Sequence, residues 1–180
     1  MTRFIGIDYS TTSCGIAIVD DRLTTTHWQA FTLRSQPKGD TLTDYYERIQ
    51  DLGHDIIAAA EPRLGDVIGI EGIAFAAKGR SVDRLHYAWH RTVEFISRVQ
   101  HAEPLVVTTN QVKQLATGKG TAQKDEVLLA TERRIPQAQV RNNDEADAVW
   151  IAVGASILAG SPVIDLPAAH MPKAWKEKAA

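Results

Sequence analysis

The sequence has a single cysteine, Cys14, in 180 residues, so no disulfide within the chain can staple it. A reducing compartment is the simplest expectation. No apolar run approaches the roughly 18 to 20 residues of a membrane span, and the N-terminus lacks the basic region and long apolar stretch of a signal peptide. A soluble, cytoplasmic protein with no membrane partner is therefore expected. There is no Cys/His cluster with the spacing of a zinc site, no internal repeat and no low-complexity segment. Charge of one sign is also missing, because 20 Lys and Arg nearly balance 22 Asp and Glu for a net charge of −2. Nucleic-acid binders are often strongly basic, yet acids gathered at one site and bases along another can sum to little while still binding phosphate.

What is present suffices for one domain with a real core: 44% of residues are apolar and 23% charged. Residues 4–20, FIGIDYSTTSCGIAIVD, hold two apolar, β-branched runs around a small polar turn, which predicts an antiparallel hairpin. Residues 24–33 alternate as a third strand, giving a meander, and RSQPKGD follows as a polar loop. From Leu42, the apolar positions Tyr45, Tyr46, Ile49, Leu52, Ile56 and Ile57 are spaced as a helix ending before Pro62. Residues 66–71, DVIGIE, show no alternation, as a central strand buried on both faces requires.

A helix is predicted over 81–100, with Val82, Leu85, Trp89, Val93, Ile96 and Val99 as one stripe. Tyr87, Ala88 and Phe95 add apolar surface on another side, enough to meet a partner subunit. A strand at 104–107, a helix at 110–116, a Gly-rich basic loop TGKGTAQ and a helix at 124–134 follow. Asn142 and Asn143 are suited to cap a last helix over 144–159, ended by Gly160. Residues 1–160 are expected to form one domain of the α/β class, and 161–180 a loosely ordered tail.

The chemistry lies in four acids. Asp8 and Glu71 each end a predicted strand, and Asp144 and Asp147, three apart, share a face of the last helix. Each has an ordinary use alone: an Asx turn for Asp8, a salt bridge for Glu71, the helix dipole for Asp144 and a solvated surface for Asp147. If the two strands are neighbours and the helix start docks beside them, four carboxylates converge. Such a cluster persists only with divalent cations bound or with some carboxylates protonated. All-oxygen donors suit Mg²⁺ or Mn²⁺.

The order of these elements, with acids at those places, resembles the ribonuclease H-like fold, a mixed five-stranded sheet with helices on both faces. Within it the chain is similar to RuvC-type Holliday junction resolvases, and its divergence looks like that of bacteriophage members. The resemblance is carried over residues 4–159 by GID with Asp8, IEGIAF with Glu71 and Phe75, and QVKQ with Lys113. It continues in the GxGxAxK stretch from Gly118 to Lys124 and in DEADAVWIA with Asp144 and Asp147. Tyr9 and Ser10 stand where bacterial members commonly have Pro-Gly.

The resemblance implies a homodimer acting in a bacterial cell or phage-infected host. It would nick two opposing strands of a four-way DNA junction with two Mg²⁺ or Mn²⁺ ions per subunit. It also implies metal ligation by Asp8, Glu71, Asp144 and Asp147, a catalytic charge on Lys124, and DNA contacts from Phe75, Arg80, Arg84, Lys113, Lys119 and Lys124. Arg91 could extend that basic surface, and Phe75 would stack on an opened base.

Other readings of the residues stay open. IGIDYSTTS also resembles the phosphate-binding turn of sugar kinases and actin-like ATPases, although the chain is too short for two lobes around an adenosine site. A nuclease acting more broadly on branched DNA or RNA–DNA hybrids, or a junction-binding module without catalysis, would keep the same fold.

Overall fold

The computed structural model describes residues 2–22, 25–73 and 82–176. The first three apolar runs form the meander β1 (Arg3–Asp8), β2 (Ser13–Asp20) and β3 (His27–Arg34), paired antiparallel. Helix α1 (Leu42–Ala60) starts at a capping box between Thr41 and Asp44 and leads to β4 (Val67–Glu71), which lies parallel to β1. Helix α2 (Val82–Gln100) then leads to β5 (Leu105–Val107), parallel to β4. The sheet order β3-β2-β1-β4-β5 is the expected mixed five-stranded arrangement, with β1 at its centre and β4 beside it. Helices α3 (Thr109–Thr117), α4 (Lys124–Arg134), α5 (Asn143–Leu158) and the short α6 (Lys173–Lys176) complete the chain.

The period of two along the strands sorts side chains into two cores. Ile5, Ile7, Ile16, Ile18, Ile68 and Ile70 face α1 and α2, while Phe4, Ala17 and Val19 face α5 with α3 and α4 beyond it. In α2 the buried line runs through Ala88 and Ile96, with Leu85, Trp89 and Val93 beside it. Val99, expected in that stripe, is 44% exposed. Phe95 is turned towards Gly53 of α1, so part of the second apolar surface of α2 is used within the chain.

Three glycines set the position of α5. A Cβ on Gly6 would lie 2.0 Å from the Ala148 carbonyl oxygen, one on Gly15 would lie 2.0 Å from that of Asp144, and one on Gly69 would lie 2.9 Å from the Ala155 Cβ. The helix backbone therefore rests directly on the sheet, which only missing side chains permit. This close seat explains why α5 is buried from Glu145 to Ser156 and meets the sheet glycines with the small residues Ala148, Ala152 and Ala155.

The C-terminal segment corrects one expectation. Its Pro and Lys content predicts a loosely ordered tail, but residues 161–176 run against the domain. Trp175 is 8% exposed, and Val163, Ile164 and Leu166 pack on the α5 core. The apolar surface offered by α3 and α5 outweighs the local composition.

Candidate active site

Parallel pairing of β1 and β4 runs up to Ile7 opposite Ile70, so the next residues, Asp8 and Glu71, end neighbouring strands at the same edge. Both point to the α5 side, because they continue the alternation Phe4, Gly6, Asp8 and Gly69, Glu71. The Gly15 contact fixes the first turn of α5 over the same edge, which brings Asp147 to them. Asn142 caps that turn by accepting from the Glu145 amide at 3.0 Å.

Asp8 and Asp147 are each 6% exposed. Burial, then repulsion from Glu71 and Asp147, pushes the Asp8 carboxyl up to about 9, and its side chain lies within hydrogen-bonding reach of Glu71. Burial likewise pushes Asp147 up to about 7. The positive Lys124 and Lys113 oppose that rise, while Glu71 and Asp144 add to it. The Lys124 ammonium, on the first residue of α4, stands 3.9 Å from an Asp147 oxygen. Asp8, Glu71, Asp147 and Lys124 thus form one electrostatic unit with Lys113 beside it.

The fourth acid, Asp144, accepts from the Ser13 hydroxyl at 2.5 Å. Glu71 is oriented by the Thr109 hydroxyl at 2.7 Å, and its main-chain carbonyl accepts from the Trp89 indole at 2.7 Å. Among the described residues no three His, Cys, Asp or Glu side chains gather closely enough to hold a single ion. Asp8, Glu71 and Asp147 are near enough to perturb one another electrostatically, and Asp144 is tied to the hairpin turn through Ser13.

Ser13 and Thr109 were not apparent as site residues in the sequence. Thr109 opens a helix directly after β5, and Ser13 closes the polar turn after Asp8; those positions are the only signals either gives. Glu145 is buried and faces away, accepting from the Thr32 hydroxyl at 3.1 Å and the Arg141 amide at 2.7 Å. It locks the start of α5 to β3 and leaves Asp147 as the acid directed at β1.

The remaining expected residues are spread more widely. Lys119 is exposed in the loop between α3 and α4. Arg84 lies in the first turn of α2, its guanidinium 5.2 Å from the Tyr45 ring centre, and Arg91 is ion-paired with Glu94. Phe75 and Arg80 lie outside the described residues.

A mixed sheet with acids ending two adjacent parallel strands, crossed by an acid-bearing helix, is a ribonuclease H-like fold. The family model for crossover junction endodeoxyribonuclease RuvC matches residues 4–155, and the chain belongs to that family. In structure it is similar to Thermus thermophilus RuvC, with a TM-score of 0.64 at 18% identity over 89% of this chain and 98% of that one. The T. thermophilus RuvC in complex with Holliday junction substrate matches with a TM-score of 0.65 at 17% identity and the same coverage.

Proposed function

We propose that this chain is a metal-dependent endonuclease that resolves four-way DNA junctions by paired, symmetric nicks, acting as a homodimer. The observation that carries this reading is the placement of Asp8, Glu71 and Asp147 together at the sheet edge with Lys124 beside them. The Asp8 carboxyl, pushed up to about 9 by burial first and by its acidic neighbours second, is a group whose charged form a bound cation would stabilise. The donors, all carboxylate oxygens, fit a hard divalent ion in kind.

Asp8, Glu71 and Asp147 would hold Mg²⁺ or Mn²⁺, two ions per subunit, with Asp144 completing the set or orienting water. When bound, such ions supply an activated water and charge stabilisation at the departing 3′-oxygen. The protein's own groups do the rest. The rigid β1–β4 edge fixes Asp8 against Glu71, and Thr109 and Ser13 orient Glu71 and Asp144 by hydroxyl donation. Lys124 offsets charge growing on the scissile phosphate, a role favoured by its position at the mouth of an otherwise anionic site.

Lys113 and Lys119 would add phosphate attraction that is independent of sequence. Phe75 would stack on a base unpaired at the crossover, and Arg80 and Arg84 would extend the DNA path. Exposed Tyr87 and Val99 on α2 are the surface left for a second copy. The test is incubation with Mg²⁺ and labelled four-way junction, duplex, flap and RNA–DNA hybrid. Preferential junction cleavage supports the proposal, equal cleavage of all branched forms or of the hybrid would favour a broader nuclease, and binding without cleavage would favour a non-catalytic module.

A further inference from the structure

We propose that the C-terminal segment 168–175 is a strap that positions the basic loop 118–123 for DNA, so that His170 acts as a positioning residue for junction binding. The proposal rests on the junction-nuclease reading and concerns residues beyond the matched span 4–155. His170 is 7% exposed, and its Nδ1 lies 2.7 Å from the Leu115 carbonyl oxygen of α3. A carbonyl only accepts, so Nδ1 carries the proton. Nε2 then accepts from the Arg134 guanidinium of α4 at 3.1 Å. One imidazole thus ties together the two helices that flank the loop.

The same ring meets the loop itself. Gly118, at φ +80°, ends α3, and a Cβ there would lie 3.3 Å from His170 Nε2. The Gln114 amide donates both to the Gly118 carbonyl at 2.8 Å and to the Ala169 carbonyl of the strap. The next residue is Lys119, whose amide donates to the Thr117 hydroxyl at 3.1 Å and whose carbonyl accepts from the Ala122 amide at 3.1 Å. The backbone that presents Lys119 therefore starts at the strap's contact. At its far end Trp175 lies on α5, its ring 3.2 Å from where a Gly154 Cβ would be. A groove of about 380 Å³ runs between Asn110, Gln114 and Gly120 on one side and Ala169, Met171 and Lys173 on the other. The strap thus joins the helix bearing Asp147 to the loop bearing Lys119.

The experiment uses the full chain with His170→Ala, His170→Asn, which keeps a donor for Leu115, and Arg134→Ala, at an exposed position on α4. Amide hydrogen exchange is followed over 117–123 and over β1 and β4, and junction affinity is measured in Ca²⁺ so that cleavage does not intervene. His170→Ala removes the hydrogen bonds to both Leu115 and Arg134, so it should raise exchange in 117–123 and weaken junction affinity by about tenfold. Exchange in β1 and β4 should stay unchanged, His170→Asn should recover much of the loss, and Arg134→Ala should fall between. Unchanged loop exchange and affinity in both alanine variants would overturn the proposal, as would exchange rising equally in β1 and β4. A wild-type chain that binds no junction would instead overturn the functional reading, and the exchange data would still decide whether the strap holds the loop.

Discussion

Replacing Asp8 with Asn should make the metal-free protein more stable while abolishing its chemistry. The carboxyl rises from an ordinary 3.8 to about 9 in the fold, so between those values the folded chain binds the proton that the unfolded chain releases. The contribution of Asp8 to the stability of the wild type without metal must then fall as pH rises from about 4 to 9, because at this group the unfolded state binds fewer protons throughout that range. Each pH unit is worth about 1.4 kcal/mol, so the cost at pH 7 is at most on the order of 4 kcal/mol. Sharing of the proton with Glu71 and local relaxation keep the cost below that bound. Asn keeps an N–H donor for Glu71 and removes the titration. Thermal unfolding in chelator at pH 7 should therefore show Asp8→Asn melting above wild type, by about 2 to 4 °C for each kcal/mol of that cost. The gap should narrow towards pH 5, and Mg²⁺ should raise the wild type more than the variant. A variant no more stable than wild type at every pH would refute the reading of Asp8 as a buried, crowded carboxylate.

Gly6→Ala should cost about 3 kcal/mol or more, since its Cβ would press on the Ala148 carbonyl and the Ala152 amide, both backbone; urea unfolding measures this. Lys124→Met should slow single-turnover cleavage of any DNA by about a hundredfold, as loss of one preorganised charge at a transition state does, with a smaller loss of affinity for junction and duplex alike. Lys119→Ala should weaken junction and duplex binding together and lower the salt slope by about one, read from paired salt titrations. Phe75→Ala should lower junction cleavage by about one to two orders of magnitude and leave duplex binding nearly unchanged, because stacking needs an opened base.

Asp8 and Glu71 were legible because each interrupts an apolar run at its end, where local pattern alone marks an emerging strand. The Asp144 and Asp147 pair was legible from helical spacing, but the division of labour around it was not. Glu145 turns inward because β3 brings Thr32 and the loop brings the Arg141 amide, and Asp144 turns to Ser13; these are meetings between residues more than a hundred positions apart or across a loop. Gly6, Gly15 and Gly69 did carry a readable signal, since glycine inside a strand marks a close backbone approach. The strap carried none, because a Pro- and Lys-containing tail reads as loose until Leu115, Gly118 and Gly154 stand where His170 and Trp175 can reach them. Phe75 and Arg80, placed by resemblance, lie outside the described residues.

The central claim is that the carboxylates at the β1–β4 edge hold metal for junction cleavage while basic residues elsewhere supply most of the affinity. It is tested most directly by mapping the cuts made in a labelled four-way junction by wild type, Asp8→Asn, Glu71→Gln and Asp147→Asn, alongside binding in Ca²⁺. The account predicts nicks at symmetric positions in two opposing strands with Mg²⁺ or Mn²⁺, none with Ca²⁺ or chelator, and a loss of orders of magnitude in each variant with junction binding retained. An Asp8→Asn protein that cuts like wild type would contradict it.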